Sequence, residues 1–137
     1  MNLVVDTSVW SLVLRRPQVK EDNAFVRAFR SHIEQGDGLF LIGNILQELL
    51  DGVKSDRDFH RLLTLLEPFP ILELTRETYV TAAELRNTCR AKGINAGPID
   101  FLIAAACLEH GFPLLTADRD FSYIATCSNL VVLPFSP

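Results

Sequence analysis

Short apolar runs, three or four residues long, recur along the chain and alternate with longer segments of helical pattern. The runs begin at Leu3, Leu39, Ile71, Leu114 and Leu130. Runs this short and this apolar are typical of buried strands. Strands that alternate with helices predict βαβ units and a mainly parallel sheet. We therefore predict an α/β fold with helices on both faces of the sheet and right-handed crossovers.

The segments between these runs carry helix-start and helix-stop signals. Asn44 can cap a helix that Gly52 ends, Pro98 occupies a first helical position, and Gly111 lies just past the end of that helix. The patterns predict helices over residues 9–14, 23–35, 45–50, 59–66, 78–92 and 99–110.

Length and composition bound the class of protein. The chain has 137 residues, which is the size of one domain, so we expect a single domain over residues 1–137. Hydrophobic residues make up 48% and charged residues 22%, which excludes disorder and low-complexity chains. The net charge of −4 is not the profile of a general nucleic-acid coat, because phosphate binding is driven by Lys and Arg. It is compatible with a nuclease, whose metal site must itself be acidic.

The cysteines and the N-terminus indicate a reducing compartment. Cys89, Cys107 and Cys127 are an odd, widely spaced set without a CxxC pair, so neither a zinc site nor a disulfide scaffold is predicted, and we interpret all three as core or surface fillers. The N-terminus lacks the basic segment of a signal peptide. The longest apolar run, Phe101–Leu108, is too short to span a bilayer. We therefore predict a cytoplasmic protein that does not enter a membrane.

Acidic side chains follow several of the predicted strands. Asp6 comes directly after the first strand, and Asp118 and Asp120 follow the strand that begins at Leu114. Glu48 lies one turn inside the helix after the second strand, and Asp100 lies in the first turn of a helix. Ligands of parallel sheets gather at the carboxyl ends of the strands, so four segments offer a carboxylate at one end of the molecule.

Carboxylates gathered this closely predict a divalent cation. Without a cation they repel one another and raise one another's pKa values. Oxygen ligands without His or Cys favour Mg²⁺ or Mn²⁺ over zinc. The chemistry that such a site suggests is metal-assisted phosphodiester hydrolysis, in which the metal generates hydroxide and offsets charge on the leaving oxygen.

Each acid also has a simpler interpretation. Asp6 can be a helix N-cap, and Asp100 can interact with the helix dipole. Asp118 and Asp120 can be turn residues. The apolar neighbours of Glu48 suggest a largely buried helix in which a Glu needs a partner, although Glu48 can also belong to a solvated face. The metal site is therefore predicted from the four segments together.

Four stretches resemble the motifs of one family. Leu3–Ser8 resembles the opening strand of PIN-domain proteins, which ends in Asp-Thr/Ser-Ser, and Asn44–Leu49 resembles their Glu helix. Ile99–Ala106 is similar to their Asp-x-x-Ile-Ala-Ala helix, and Leu114–Phe121 resembles their Thr-x-Asp-x-Asp-Phe stretch. Order and spacing match across essentially the whole chain. The resemblance is strongest to the small bacterial VapC-type toxins of VapBC toxin–antitoxin modules.

The resemblance implies a three-layer α/β/α PIN-like domain that acts as a Mg²⁺- or Mn²⁺-dependent endoribonuclease. It implies an acidic quartet of catalytic metal ligands, namely Asp6, Glu48, Asp100 and Asp118. Asp120 is the alternative to Asp118 as the fourth acid, and of the two we prefer Asp118. Residues implied to orient ligands or the scissile phosphate, or to hold flanking RNA phosphates, are Thr7, Ser8, Thr116, Arg15 and Arg119. The implied partners are an RNA substrate, a second copy in a homodimer and a small antitoxin that inserts a segment into the acidic groove.

The sequence is also compatible with other functions. An Asp-nucleophile phosphatase would also place Asp6 after its first strand, but that chemistry needs a second Asp two residues later, where this chain has Ser8. A receiver-like signalling domain would need a late Lys that is missing. A non-catalytic PIN-like binding module is the remaining alternative, and the retained set of acids argues against it.

Overall fold

The computed structural model describes residues 1–14 and 23–134. Its elements in chain order are β1 (Asn2–Val5), α1 (Thr7–Leu14), α2 (Ala24–Glu34), β2 (Gly38–Ile42), α3 (Gly43–Leu50), α4 (Asp56–Leu66), β3 (Ile71–Leu72), α5 (Arg76–Ala91), α6 (Pro98–His110), β4 (Leu114–Leu115), α7 (Asp120–Thr126) and β5 (Val132–Leu133). Among these helices, none has the length and apolar character needed to cross a membrane.

The strands form one parallel sheet in the order β3-β2-β1-β4-β5. The chain therefore moves outward from β1 to β3, returns across the sheet and continues from β4 to β5. With right-handed crossovers, this reversal puts α1–α4 on one face and α5–α7 on the other. The contacts agree, since α1–α4 pack among themselves and α5 and α7 both pack on α6. The predicted α/β fold with a parallel sheet is confirmed.

The core lies on both sides of β1. Leu3, Val4 and Val5 are completely buried, and every residue of the segment 101–107 in α6 is buried as well. A helix that is apolar all round is one enclosed by other elements. Here α5 and α7 pack on α6, and its buried residues share one core cluster with the strands. On the opposite face, Trp10 packs edge-on against Phe29 and Phe69, with ring centroids 5.1 and 4.9 Å apart.

Element boundaries differ from the predicted ones mainly at the edges of the sheet. β3 and β5 contain two residues each, so the four-residue strands predicted there are too long. α4 begins at Asp56 rather than Phe59, because the Ser55 side chain accepts a hydrogen bond from Asp58 N–H at 3.0 Å and caps the helix earlier. α7 was not predicted, because seven residues are too few to show helical periodicity.

The cysteines are the clearest correction. Cys89 and Cys127 form a disulfide with their Cα atoms 6.1 Å apart, so the interpretation of these two as fillers is wrong. The fold brings them together from the end of α5 and the residue after α7. Cys107 is free and buried, as predicted for a core filler, and burial raises the pKa of its thiol to about 12.

Candidate active site

The candidate site lies where the strand order reverses, at the carboxyl ends of β1 and β4. The two strands are neighbours, with Val5 paired to Leu115, and Asp6 N–H donates to Leu115 C=O at 2.9 Å. Asp6 and Thr116, which follow these strands, are therefore side by side. In parallel sheets this switch point is the usual place for a ligand.

Two hydroxyl groups hold the buried Asp6 carboxylate. Ser8 Oγ donates to Asp6 Oδ2 at 2.7 Å, and Thr116 Oγ1 donates to the same oxygen at 2.9 Å. Each hydroxyl has one hydrogen, so the 3.2 Å approach of Ser8 Oγ to Thr116 Oγ1 is a contact and not a third hydrogen bond. Among the described residues, no donor is hydrogen-bonded to Asp6 Oδ1, so that oxygen is available to another ligand.

The same hydroxyls fix the loop that follows β4. Ser8 Oγ accepts from Ala117 N–H at 2.9 Å, and Thr116 Oγ1 accepts from Asp118 N–H at 3.0 Å. Asp118 Oδ1 then accepts from Asp120 N–H at 2.9 Å, where α7 begins. The position of the loop acids is thus tied directly to Asp6.

Three carboxylates lie within reach of one ion. Asp100, Asp118 and Asp120 each offer one oxygen, and these oxygens all lie within 4.8 Å of one another. Asp100 lies in the first turn of α6, where its Oδ2 accepts from Gly97 N–H at 3.2 Å. All three side chains are half-buried, so they are reachable from solvent but shielded from full hydration.

The pKa of Asp100 is raised by its surroundings. Burial raises this pKa to about 6, and the charges of Asp118, Asp120 and Asp6 act in the same direction. The hydrogen bond from Gly97 N–H lowers it only in part. Negative charge therefore exceeds what the surrounding residues compensate, and a cation would relieve it.

The donor set suits a hard divalent cation. The cluster contains carboxylate oxygens alone among the described residues, which is the ligand type of Mg²⁺ and Mn²⁺. The histidines are engaged elsewhere: His32 Nδ1 lies 2.7 Å from Asp37 Oδ2, and the Nδ1 atoms of His60 and His110 contact carbonyls of their own helices. Asp100, Asp118 and Asp120 are the residues that would hold the ion, with Asp6 next to them.

Glu48 is placed differently from the other acids. It is exposed on α3, and its Oε2 accepts from Thr7 Oγ1 at 3.2 Å. It is not one of the three carboxylates that come within 4.8 Å of one another. Ile45 is the one buried residue of α3, so of the two interpretations of Glu48 the structure supports the solvated face and not the buried helix. Glu48 therefore lies at the rim of the site, connected through Thr7 to the start of α1, next to Asp6.

The PIN domain model matches residues 3–126. The chain belongs to the PIN domain family. Among curated proteins, ribonuclease VapC1 of Rickettsia felis is 31% identical over 142 residues, covering 96% of this chain and 97% of the relative. Ribonuclease VapC11 of Mycobacterium tuberculosis is 28% identical over 135 residues, covering 97% and 98%. The resemblance to VapC-type PIN proteins is thereby confirmed.

Solved structures share this PIN fold. The VapBC2 complex of Rickettsia felis bound to a promoter DNA fragment matches with a TM-score of 0.77 at 18% identity, covering 99% of this chain and 100% of that chain. VapBC-1 of nontypeable Haemophilus influenzae matches with a TM-score of 0.75 at 20% identity, covering 96% of each. At these identities the likeness concerns the fold.

The PIN motif after β4 contributes both of its acids. We preferred Asp118 over Asp120, but the structure brings both to the cluster with Asp100. The Thr-x-Asp-x-Asp spacing was the available signal, and it did not reveal that the hydrogen bond from Asp120 N–H to Asp118 folds the second acid back. Arg119 lies between them and is exposed. Arg15 lies outside the described residues.

Proposed function

We propose that this PIN domain is a divalent-metal-dependent endoribonuclease that hydrolyses RNA phosphodiester bonds, and that it is the toxin of a toxin–antitoxin pair in the cytoplasm. The observation that carries the proposal is the group of Asp100, Asp118 and Asp120 oxygens within 4.8 Å of one another, next to Asp6. Relatives that align over nearly the whole chain are named ribonucleases, which supports the same activity.

The chain's own residues would orient the ion and the substrate. Bound Mg²⁺ or Mn²⁺ would supply an activated water and offset charge on the leaving oxygen. Asp100, Asp118 and Asp120 would hold the ion, Asp6 Oδ1 would add a ligand, and Glu48 would act from the rim through water. Ser8 and Thr116 fix the orientation of Asp6, which is the usual role of residues behind a metal ligand.

The substrate would enter from the exposed side of the cluster. Arg119 is exposed beside Asp118 and Asp120, where its guanidinium can contact a phosphate next to the cut. Unstacked bases in loops of folded RNA reach such a rim more easily than paired ones, so we propose single-stranded loops as targets. The phosphatase alternative is disfavoured, because the Ser8 hydroxyl donates to Asp6 where that chemistry needs a second acid.

We expect the purified protein to cut total cellular RNA into discrete fragments with Mg²⁺ or Mn²⁺ and to leave it intact in chelator. In Asp6→Asn the amide oxygen can still accept from both hydroxyls, but the negative charge is lost, so the variant should fold and not cut. Glu109→Gln is the matched control, because Glu109 is exposed at the far end of α6. Gel analysis of the fragments measures the result.

Two outcomes would contradict this proposal. Equal cleavage by Asp6→Asn would indicate a different site or a contaminating nuclease. Intact RNA with both metals, using protein shown by mass spectrometry to carry no bound inhibitor, would favour a non-catalytic binding module instead.

We propose that the antitoxin covers an apolar groove of about 350 Å³ between α4 and the sheet. Leu63 lines the groove and is 41% exposed. The fold relatives named above are described as VapBC complexes, which supports a protein partner.

We expect Leu63→Glu to weaken capture of the product of an adjacent short reading frame in coexpression. Leu65→Glu is the control, since Leu65 is 50% exposed on the same helix but does not line the groove. Equal capture by both variants would exclude the groove.

We propose that a second copy packs on the face formed by α5 and α6. A mainly apolar groove of about 460 Å³ lies there, with Arg86 and Arg90 also in its lining, and Tyr79, which lines it too, is 55% exposed. Light scattering should show a dimer for the wild type and a monomer for Tyr79→Glu. Tyr123→Glu is the matched control, since Tyr123 is 54% exposed on α7. A dimer that survives Tyr79→Glu would place the interface elsewhere.

A further inference from the structure

A covalent bond closes the part of the chain that carries the carboxylate cluster. The Cys89–Cys127 disulfide joins positions 38 residues apart. The closed segment contains α6, β4 and α7, and therefore Asp100, Asp118 and Asp120. Asp6 and Glu48 lie outside it. The bond thus encloses those three acids that share one site and leaves out the two on other segments.

The bond also joins two helices that flank the same neighbour. α5 and α7 each pack on α6, whose first turn carries Asp100. Cys89 is the last buried residue of α5, six residues before Asn95 in the connection to α6. Cys127 directly follows α7, whose first residue is Asp120. A tie between the ends of α5 and α7 therefore limits how far α7 can move relative to the start of α6.

We propose that the Cys89–Cys127 disulfide is a redox-sensitive crosslink, or tie, that stabilises the segment 89–127 and keeps its three carboxylates close enough together to bind a divalent cation. The stabilising part stands on the fold alone. The cation part rests on the proposed metal-dependent function.

The bond is reachable from one side. Cys127 is half-buried, while Cys89 is completely buried. A dithiol reductant would attack Cys127 Sγ, the S–S bond would break, and Cys89 Sγ would leave as a thiolate that takes up a proton. The second thiol of the reductant would then attack the mixed disulfide and release Cys127. Two electrons pass to the protein, and the reductant becomes a disulfide; a low-molecular-weight disulfide reverses the exchange.

Reduction would leave the fold in place. Leu85 and Cys89 on α5, and Phe121 and Ile124 on α7, remain buried against the core whether or not the sulfurs are joined. What changes is the freedom of the unfolded chain and of α7. A crosslink lowers the conformational entropy of the unfolded state by an amount that grows with the logarithm of the closed length. The reduced protein should therefore be folded, less stable and looser at the cluster.

The first measurement is thermal unfolding in chelator, with protein oxidised by a low-molecular-weight disulfide or reduced by a dithiol. We expect the reduced form to unfold about 10 °C lower. Cys127→Ser should match the reduced form under both conditions. Cys107→Ala is the control, because it removes a buried thiol outside the pair and should keep the difference. Thiol titration after denaturation should find one thiol in oxidised protein and three in reduced protein.

Equal unfolding temperatures, or three thiols in the oxidised protein, would overturn the tie.

The second measurement is Mn²⁺ binding followed by electron paramagnetic resonance of the free ion. We expect the dissociation constant to rise about threefold on reduction of the wild type, the size of couplings carried through packed elements. It should not respond to reduction in Cys127→Ser.

The two measurements separate this inference from the proposed function. A temperature shift with unchanged Mn²⁺ affinity would overturn the claim on the carboxylates and keep the stabilising tie. A temperature shift in a protein that binds no Mn²⁺ in either form would overturn the metal-dependent function as well, while the tie itself would stand.

Discussion

Replacing Asp100 by Asn should lower RNA cleavage by about 1000-fold or more and, at the same time, stabilise the metal-free protein. Loss of a ligand removes transition-state stabilisation of several kcal/mol, and each 1.36 kcal/mol is about tenfold in rate. Asn keeps an oxygen that can accept from Gly97 N–H, so the start of α6 should not change. What the variant loses is the negative charge that Asp118, Asp120 and Asp6 oppose.

The stability gain has a predictable pH dependence. Folding raises the pKa of Asp100 from 3.8 to about 6, so the native state binds a proton that the unfolded state has released. Wild-type stability therefore falls as pH rises through this window, and the cost is fully present above pH 6. Because the side chain is half-exposed, solvent screening reduces that cost to about 1–2 kcal/mol. Asp100→Asn avoids it, so its advantage should be largest at pH 7 and vanish near pH 4.

Urea unfolding in chelator between pH 4 and pH 7 measures this difference, with Glu109→Gln as the matched change of charge on the same helix. The control should parallel the wild type. Adding Mn²⁺ should reverse the order, because the ion stabilises whichever protein binds it. A variant that follows the wild-type pH profile would mean that the cluster does not crowd Asp100. If Mn²⁺ raised the stability of Asp100→Asn as much as that of the wild type, Asp100 would be excluded as a ligand.

The sheet could be predicted from local pattern because its central strands are buried on both faces. Leu3–Val5 has to be apolar at every position, and this leaves an unbroken run that is easy to recognise. The edge strands β3 and β5 are two residues long, and their ends are set by pairing with a neighbour rather than by their own sequence. α7 is similar, since the Asp118 side chain and packing of Phe121 on the core define it.

The site could be predicted as a set of segments but not as a geometry. That Asp6 and Asp100 face one edge follows from strand and helix order. Whether Asp118 or Asp120 joins them depends on the path of a loop, and one hydrogen bond to Asp118 Oδ1 brings both in. Glu48 shows the converse, because apolar neighbours in sequence do not make a whole helix buried, and in α3 only Ile45 is buried.

The disulfide could not be predicted from the cysteine count. A pair separated by 38 residues has no spacing signature, and an odd number of cysteines leaves the partner undefined. The pairing depends on α5 and α7 lying on either side of α6, which is a property of the whole fold.

Replacing Thr116 by Val should weaken both the fold and the cation site, because one buried hydroxyl serves two acids. Thr116 is 4% exposed; its Oγ1 donates to Asp6 Oδ2 and accepts from Asp118 N–H. Val has nearly the same shape but can neither donate nor accept, so Asp6 Oδ2 and Asp118 N–H each lose one hydrogen bond. Each such loss costs about 1–3 kcal/mol. Mn²⁺ affinity should fall by about 10-fold to 100-fold, as for residues that orient metal ligands.

Thr116→Ser separates the hydroxyl from the packing of the side chain. Ser retains both hydrogen bonds and loses only a methyl group, so its Mn²⁺ affinity should stay close to that of the wild type even if its stability falls slightly. Urea unfolding and Mn²⁺ titration of the two variants side by side give the comparison. Equal losses of affinity in Val and Ser would attribute the effect to packing. The orientation of Asp6 and Asp118 would then depend on the backbone of β1 and β4, and the Thr116 hydroxyl would have no part in supporting the site.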